Sequence, residues 1–146
     1  MLILTFIFSF FFMVLTAPPN QVIYIEKSEP INVLLTWSNI DAYILKIDIK
    51  EPEKVKAQIR HETGNLTSYF CLKQNNLFGM RFAPLRKTTA VKESNRMAVY
   101  RSWQESLQDY KIWQDKYYHG GDYYQFLERI GYATDPWYLF KLKKLL

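Results

Sequence analysis

The chain has 146 residues, with 19 Lys and Arg against 14 Asp and Glu, a net charge of +5 and 17% aromatic side chains, which is room for one domain with a core of its own. A single cysteine, Cys71, excludes an intrachain disulfide and a cysteine metal site, and His61 and His119 lack ligand spacing, so neither metal nor cofactor is expected. The basic surface favours anionic partners through a general field, but no Arg/Lys cluster carries a nucleic-acid motif, and no nucleic-acid partner is expected.

Residues 2–17 form an apolar run broken only by Thr5, Ser9 and Thr16. Its length suits a signal-peptide core and falls short of the roughly 20 residues of a comfortable span. Leu15-Thr16-Ala17 resembles a small-residue cleavage site, and Pro18 directly after it hinders cleavage, so an uncleaved anchor stays open. Either way, residues 1–19 read as signal peptide or membrane anchor, and the body of the protein is expected to be exported to the periplasm, cell envelope or medium. Residues 20–38 read as a tether and N-terminal arm. Periodicity does not decide whether 31–37 is a strand or a packed extended segment. The functional domain is expected over 39–146.

Within that domain, Ile40, Tyr43, Ile44 and Ile47 repeat at i, i+3, i+4 and i+7, which predicts a helix over 39–47. Pro52 suits the first turn of the next helix. Val55, Ile59 and Glu62 then fall at i, i+4 and i+7, so a carboxylate shares the apolar face. Gly64 can stop this helix in a left-handed conformation. Glu62 therefore sits in the last turn, beside unpaired carbonyls, and partial burial and that negative helix end both favour its protonated form. A general acid requires such a carboxyl. On spacing alone, a solvated surface glutamate is the commoner outcome.

Residues 66–73 are a short apolar segment in which Cys71 reads as a small core residue. The stretch from Asn75 and Asn76 to Phe78 and Gly79 is a turn with side-chain amides on offer. Residues 80–83 and 97–100 are candidate strands of a small hairpin, joined by a basic stretch, 84–96, whose single carboxylate is Glu93. Ser102 and Glu105 form a capping box that opens a helix over 103–117, with Trp103, Leu107, Tyr110 and Tyr117 on its inward stripe. Gly120 and Gly121 break the chain, and Asp122 caps a helix ending at Gly131. Asp135 and Pro136 fit the N-cap and first turn of a final helix with a basic rim of Lys141, Lys143 and Lys144.

The motifs AQIRHETG, NNLFG, AVYRSWQESLQDY and GYATDPWYLFKL, in this order over 52–142, resemble the glucosaminidase group of peptidoglycan hydrolases, glycoside hydrolase family 73. The resemblance implies a mainly α (α+β), lysozyme-like fold with a small β-hairpin lobe beside the cleft, here a reduced one. It implies hydrolysis of the β-1,4 bond from N-acetylglucosamine to N-acetylmuramic acid, with Glu62 protonating the leaving oxygen. Tyr132 would lie opposite in the cleft and orient the substrate N-acetyl group or steady developing charge. Asn75, Asn76 and Phe78 would bind sugar. The second step falls to Glu93 activating water or to the substrate's own N-acetyl group. The second is preferred, because the cations around Glu93 would lower its pKa and weaken it as a base. His61 departs from the small or apolar residue usual before the glutamate, and is expected to point to a neighbouring face of its helix, away from the site, and do little chemistry. The expected partner of a monomeric protein is the peptidoglycan glycan strand, with membrane contact only through 2–17. Two alternatives are a lytic transglycosylase, which needs one acid, and a non-catalytic wall-binding or assembly component, against which the intact Glu62 and Tyr132 weigh.

Overall fold

The computed structural model describes residues 33–146, so the expected export segment, 1–19, and most of the expected tether lie outside the described residues. Among these residues the order is α1 (Trp37–Lys46), α2 (Pro52–Thr63), α3 (Tyr69–Gln74), β1 (Lys92–Ser94), β2 (Met97–Val99), α4 (Trp103–Tyr117), α5 (Tyr123–Arg129) and α6 (Tyr138–Lys143). α2 is the central element and packs against both α1 and α6. Its Val55, Ala57, Gln58, Ile59 and Thr63 are all buried, so its apolar stripe is wider than the i, i+4 pair that marks it in sequence. Fully burying an aliphatic side chain such as Ile59 contributes about 1.5–3 kcal/mol. Ile40 and Ile44 of α1, Leu107 and Tyr110 of α4, Tyr123 and Phe126 of α5 and Leu142 of α6 close the core around it.

Local signals explain most element ends. Pro52 occupies the first turn of α2, and Gly64 follows its last residue with φ +54°, as the left-handed C-cap requires. The chain stays left-handed through Asn65 and Leu66, with φ of 58° and 71°, and turns away sharply just after Glu62. Thr63 supports this reversal: its hydroxyl donates to the carbonyl of Ile59 at 2.6 Å and accepts from the N–H of Leu66 at 2.8 Å. Ser102 caps α4 by accepting from the N–H of Glu105, and Glu105 returns a bond to the N–H of Arg101, one residue before the expected partner. α1 begins at Trp37, earlier than its apolar repeat, because Thr36 caps it by accepting from the N–H of Asn39 at 3.2 Å. Residues 33–36 have no regular structure, and the carbonyl of Val33 accepts from the Trp103 indole N–H at 2.8 Å.

Two expectations need correction, and one segment left without a conformation is now assigned. Tyr69–Gln74 is a helix, capped by Ser68, where the apolar run was too short to choose a conformation. The hairpin pairs 92–94 with 97–99, not 80–83 with 97–100, in the register Lys92↔Val99, Glu93↔Ala98, Ser94↔Met97. Asn95 and Arg96 turn it with φ of 52° and 65°, the signs of a type I′ turn. Residues 80–83 contribute one bridge, Arg81↔Met97. A two-residue turn closes a much smaller loop than the expected pairing, at lower entropic cost. Finally, α6 starts at Tyr138 rather than Pro136. Asp135 accepts from the N–H of Trp137 at 2.9 Å and holds a turn that leads into the helix.

The loop before β1 is strapped to α4. Arg86 makes a bidentate pair with the fully buried Asp109, at 2.6 and 2.8 Å, and the Tyr100 hydroxyl donates to the same carboxylate at 2.7 Å. Burial alone would raise the Asp109 pKa, but these bonds outweigh it and hold the carboxyl below its ordinary value. Its stabilising contribution is present above the pKa of an unfolded aspartate and is lost as pH falls through the lower, folded value. Arg86→Met leaves a buried charge unpaired and should cost about 3–5 kcal/mol. Arg86→Met with Asp109→Leu should recover much of that loss. Urea unfolding of both variants checks this, and a double variant no more stable than the single one contradicts it.

Candidate active site

Glu62 stands in the last turn of α2 on the wall of a cleft of about 700 Å³. Its Oε1 accepts a hydrogen bond from the Tyr138 hydroxyl at 2.8 Å. Its Oε2 faces Gly79 so closely that a Cβ there would lie 3.3 Å from it. Gly79 also has φ +61°, so both the backbone and the carboxylate ask for glycine.

Burial pushes the Glu62 carboxyl above its ordinary pKa, against the Tyr138 hydrogen bond and the charge of His61, which pull it down. The helix end contributes less than its unpaired carbonyls suggested. The carbonyl of Ile59 accepts from Thr63, and that of Arg60 accepts from the N–H of Asn65 at 3.0 Å. Desolvation is thus the principal cause. His61 does not turn away from the site: it lines the cleft and meets the Tyr138 ring edge-on at 5.2 Å.

Tyr132 lines the same cleft, half-buried, and its hydroxyl donates to the carbonyl of Phe78 at 3.1 Å. The structure therefore brings Glu62, Tyr132 and Phe78 together. Phe78 takes part through its backbone, since its ring is buried and stacked on Tyr110 at 3.8 Å. Glu93 is exposed on β1 and outside the cleft lining. Asn75 and Asn76 are also outside it. The Asn75 amide donates to the carbonyl of Tyr100. The Asn76 side chain is buried and donates to the carbonyls of Met80 and Ala98, while its Oδ1 accepts from the N–H groups of Phe78 and Met80. The Asn76 amide is engaged through both its nitrogen and its oxygen, and that of Asn75 through its nitrogen. What Asn76 does is clamp the turn so that Gly79 meets Glu62 and the Phe78 carbonyl meets Tyr132. A further carboxylate in the lining, Asp135, is held by Lys141 at 2.5 Å, which keeps its pKa below the ordinary range.

Behind Glu62 a polar chain crosses the core. Gln58, one turn earlier in α2, donates to the Tyr138 hydroxyl at 3.4 Å and accepts from the Tyr110 hydroxyl at 2.6 Å. Tyr110 meets the Tyr123 hydroxyl, which accepts from Gln114, and Gln114 bonds both the N–H and the carbonyl of Lys50 at 2.8 Å. These groups are positioning residues. Sequence reasoning missed Tyr138 and Gln58. Tyr138 lies in the GYATDPWYLFKL motif, and Gln58 stands four residues before Glu62 on the face that the helix buries.

Residues 41–146 match the family model for glucosaminidase, described as mannosyl-glycoprotein endo-beta-N-acetylglucosaminidase. The chain belongs to the glucosaminidase family. Solved structures share its fold. One is a type VI secretion system effector–immunity complex from Pseudomonas protegens, with TM-score 0.59 and 20% identity over 74% of this chain and 89% of that one. Another is a peptidoglycan hydrolase from Sphingomonas sp. A1, with TM-score 0.54 and 24% identity over 75% and 82%. A third is the catalytic domain of the autolysin Auto from Listeria monocytogenes, with TM-score 0.50 and 23% identity over 74% and 76%. No curated protein matches the chain significantly. The expected lysozyme-like, mainly α architecture with a small hairpin lobe is the fold that this glucosaminidase has, and family membership makes it a glycoside hydrolase. Among the described residues no cluster of His, Cys, Asp or Glu is arranged to hold a metal ion.

The Glu62 carboxyl should titrate above the ordinary glutamate range. Tyr138→Phe removes a donor that favours the ionised form and should move that titration higher still. Carboxyl-carbon NMR measures both, and a lower value in the variant contradicts the account. Because the folded pKa is raised, wild-type stability falls as pH rises from the unfolded value through the folded one. Glu62→Gln should therefore gain thermal stability on wild type across that window, with the gain shrinking in acid.

Proposed function

We propose that this chain is a peptidoglycan hydrolase that cleaves the β-1,4 bond from N-acetylglucosamine to N-acetylmuramic acid, with Glu62 as general acid. The observation that carries this reading is the desolvated Glu62 carboxyl on the cleft wall, with Tyr138 occupying Oε1. The proton then resides on Oε2, beside Gly79, from which it passes to the leaving glycosidic oxygen. Family membership supports the reaction class, and the Sphingomonas hydrolase and the Listeria autolysin domain share the fold. We place the domain outside the cytoplasm, where this polymer lies, with residues 1–19 as its export signal or anchor.

For the second step, the substrate's N-acetyl group is preferred as nucleophile, oriented by the Tyr132 oxygen, which accepts from the N-acetyl N–H while its own proton stays directed to the Phe78 carbonyl. Tyr132 is in the cleft, tied to the Phe78 carbonyl, whereas Glu93 is solvated on β1. Sugar contact is assigned to the rim around Phe78 and Gly79 rather than to the amides of Asn75 and Asn76. One observation favours a lytic transglycosylase as the second reading. Of the two carboxylates in the cleft lining, Asp135 is ion-paired, so Glu62 is left as the single acid.

Glu62→Gln should fold and lose turnover on purified peptidoglycan by about 10²–10⁴-fold. Mass spectrometry of the released fragments distinguishes a hydrolysed N-acetylglucosamine end from an anhydro sugar. Near wild-type clearing by the folded variant overturns the assignment of the acid. A separate comparison decides the second step. Tyr132→Phe should slow turnover severely while Glu93→Gln stays nearly silent, and the opposite ranking would identify Glu93 as the base.

A further inference from the structure

Beside the catalytic cleft lies a second cavity, of about 740 Å³, that the reaction does not use. It shares Met80 and Arg81 with the cleft, so the two form one continuous depression. Trp113 lies at the junction, with its ring against that of Tyr132 at 5.6 Å. The cavity is bounded by the loop that carries Leu85, by the last turns of α4 with Lys116 and Tyr117, and by Ile130 after α5. Leu85 is 100% exposed, and Tyr117 and Ile130 are 42% and 39% exposed, so solvent meets an apolar surface here.

Its charge is of one sign. No carboxylate lines it. Arg86 is committed to Asp109, but Arg81 and Lys116 are exposed and, among the described residues, form no ion pair. Lys116 instead lies over the Tyr117 ring at 5.1 Å. An apolar floor with two free cations is poorly matched to a neutral sugar, whose hydroxyls call for hydrogen-bonding partners of both kinds. It suits an anion that carries alkyl groups.

We propose that this cavity binds the peptide stem of peptidoglycan while the glycan occupies the cleft. The inference rests on the substrate reading given above. The stem branches from the muramic acid, the sugar on the leaving side of the scissile bond, so a site continuous with the cleft lies within its reach. Its free carboxylates face Arg81 and Lys116, and its methyl and methylene groups cover Leu85, Ile130 and Trp113. The enzyme therefore distinguishes stem-bearing wall from the same glycan stripped of peptide.

The test uses the full chain on two substrates: purified peptidoglycan, and the same glycan freed of stems by an amidase. Wild type should cut the stem-bearing polymer roughly tenfold faster, the effect of one charge-assisted contact. Lys116→Glu and the milder Lys116→Ala should lose that advantage and cut stripped glycan at the wild-type rate. Titration with a soluble acidic tetrapeptide stem should shift the Trp113 indole N–H resonance of wild type and not that of Lys116→Glu. Equal wild-type rates on both substrates, an equal slowing on both in the Lys116 variants, or an indole resonance indifferent to the peptide overturns the inference. If stripped glycan is not cut at the proposed bond, the functional reading fails instead, and the peptide titration still decides the cavity.

Discussion

The hydrogen bond from the Tyr138 hydroxyl to Glu62 joins residues 76 positions apart and fixes the last helix against the central one. Its cost lies in removing a carboxyl from water, and the structure meets that cost in two ways. Burial raises the carboxyl's pKa, which favours the neutral form, and a phenol stands ready for the ionised one. Tyr138 is itself buried, so its oxygen needs further partners, and Gln58 supplies one. Gln58 in turn recruits Tyr110, and the sequence of amides and phenols continues to the backbone at Lys50. The aromatic richness of the chain is thus partly a means of burying hydroxyls in a connected line, where each oxygen constrains the next.

The turn between α3 and the β-lobe serves the same carboxyl from the other side. Its most conspicuous side chains, Asn75 and Asn76, look inward and bond the main chain. Ser106 of α4 adds a further bond, accepting from the N–H of Leu77 at 3.0 Å. What the cleft receives from this turn is a backbone carbonyl and a missing side chain. The first occupies the Tyr132 hydroxyl, and the second leaves one oxygen of Glu62 open.

Where a feature depends on neighbours in sequence, it was legible. Pro52 and Gly64 bound α2, Ser102 opens α4, and the alignment of Glu62 with Val55 and Ile59 indicates a carboxyl drawn toward the core. The motifs indicated the fold and brought Glu62 and Tyr132 into one reading. Features that depend on distant partners were not legible. Nothing local to Tyr138 says that its hydroxyl ends on Glu62. The face on which His61 would lie could not be chosen without knowing that α6 packs there. The hairpin was misplaced because Asn95-Arg96 is a weaker turn signal than a glycine pair, although asparagine enters the left-handed region more readily than most residues.

Two carboxyls of this protein, Glu62 and Asp109, answer protons with opposite sign. Acid relieves Glu62, whose burial favours the neutral form, and so strengthens the helical floor of the cleft. Acid weakens Asp109, whose partners require its charge, and so loosens the tie that holds the loop around Arg86 to α4. That loop also bounds the neighbouring cavity. A falling pH therefore acts on the two sides of the groove in opposite senses, easing the helix that carries the acid while it slackens the loop beside the neighbouring cavity.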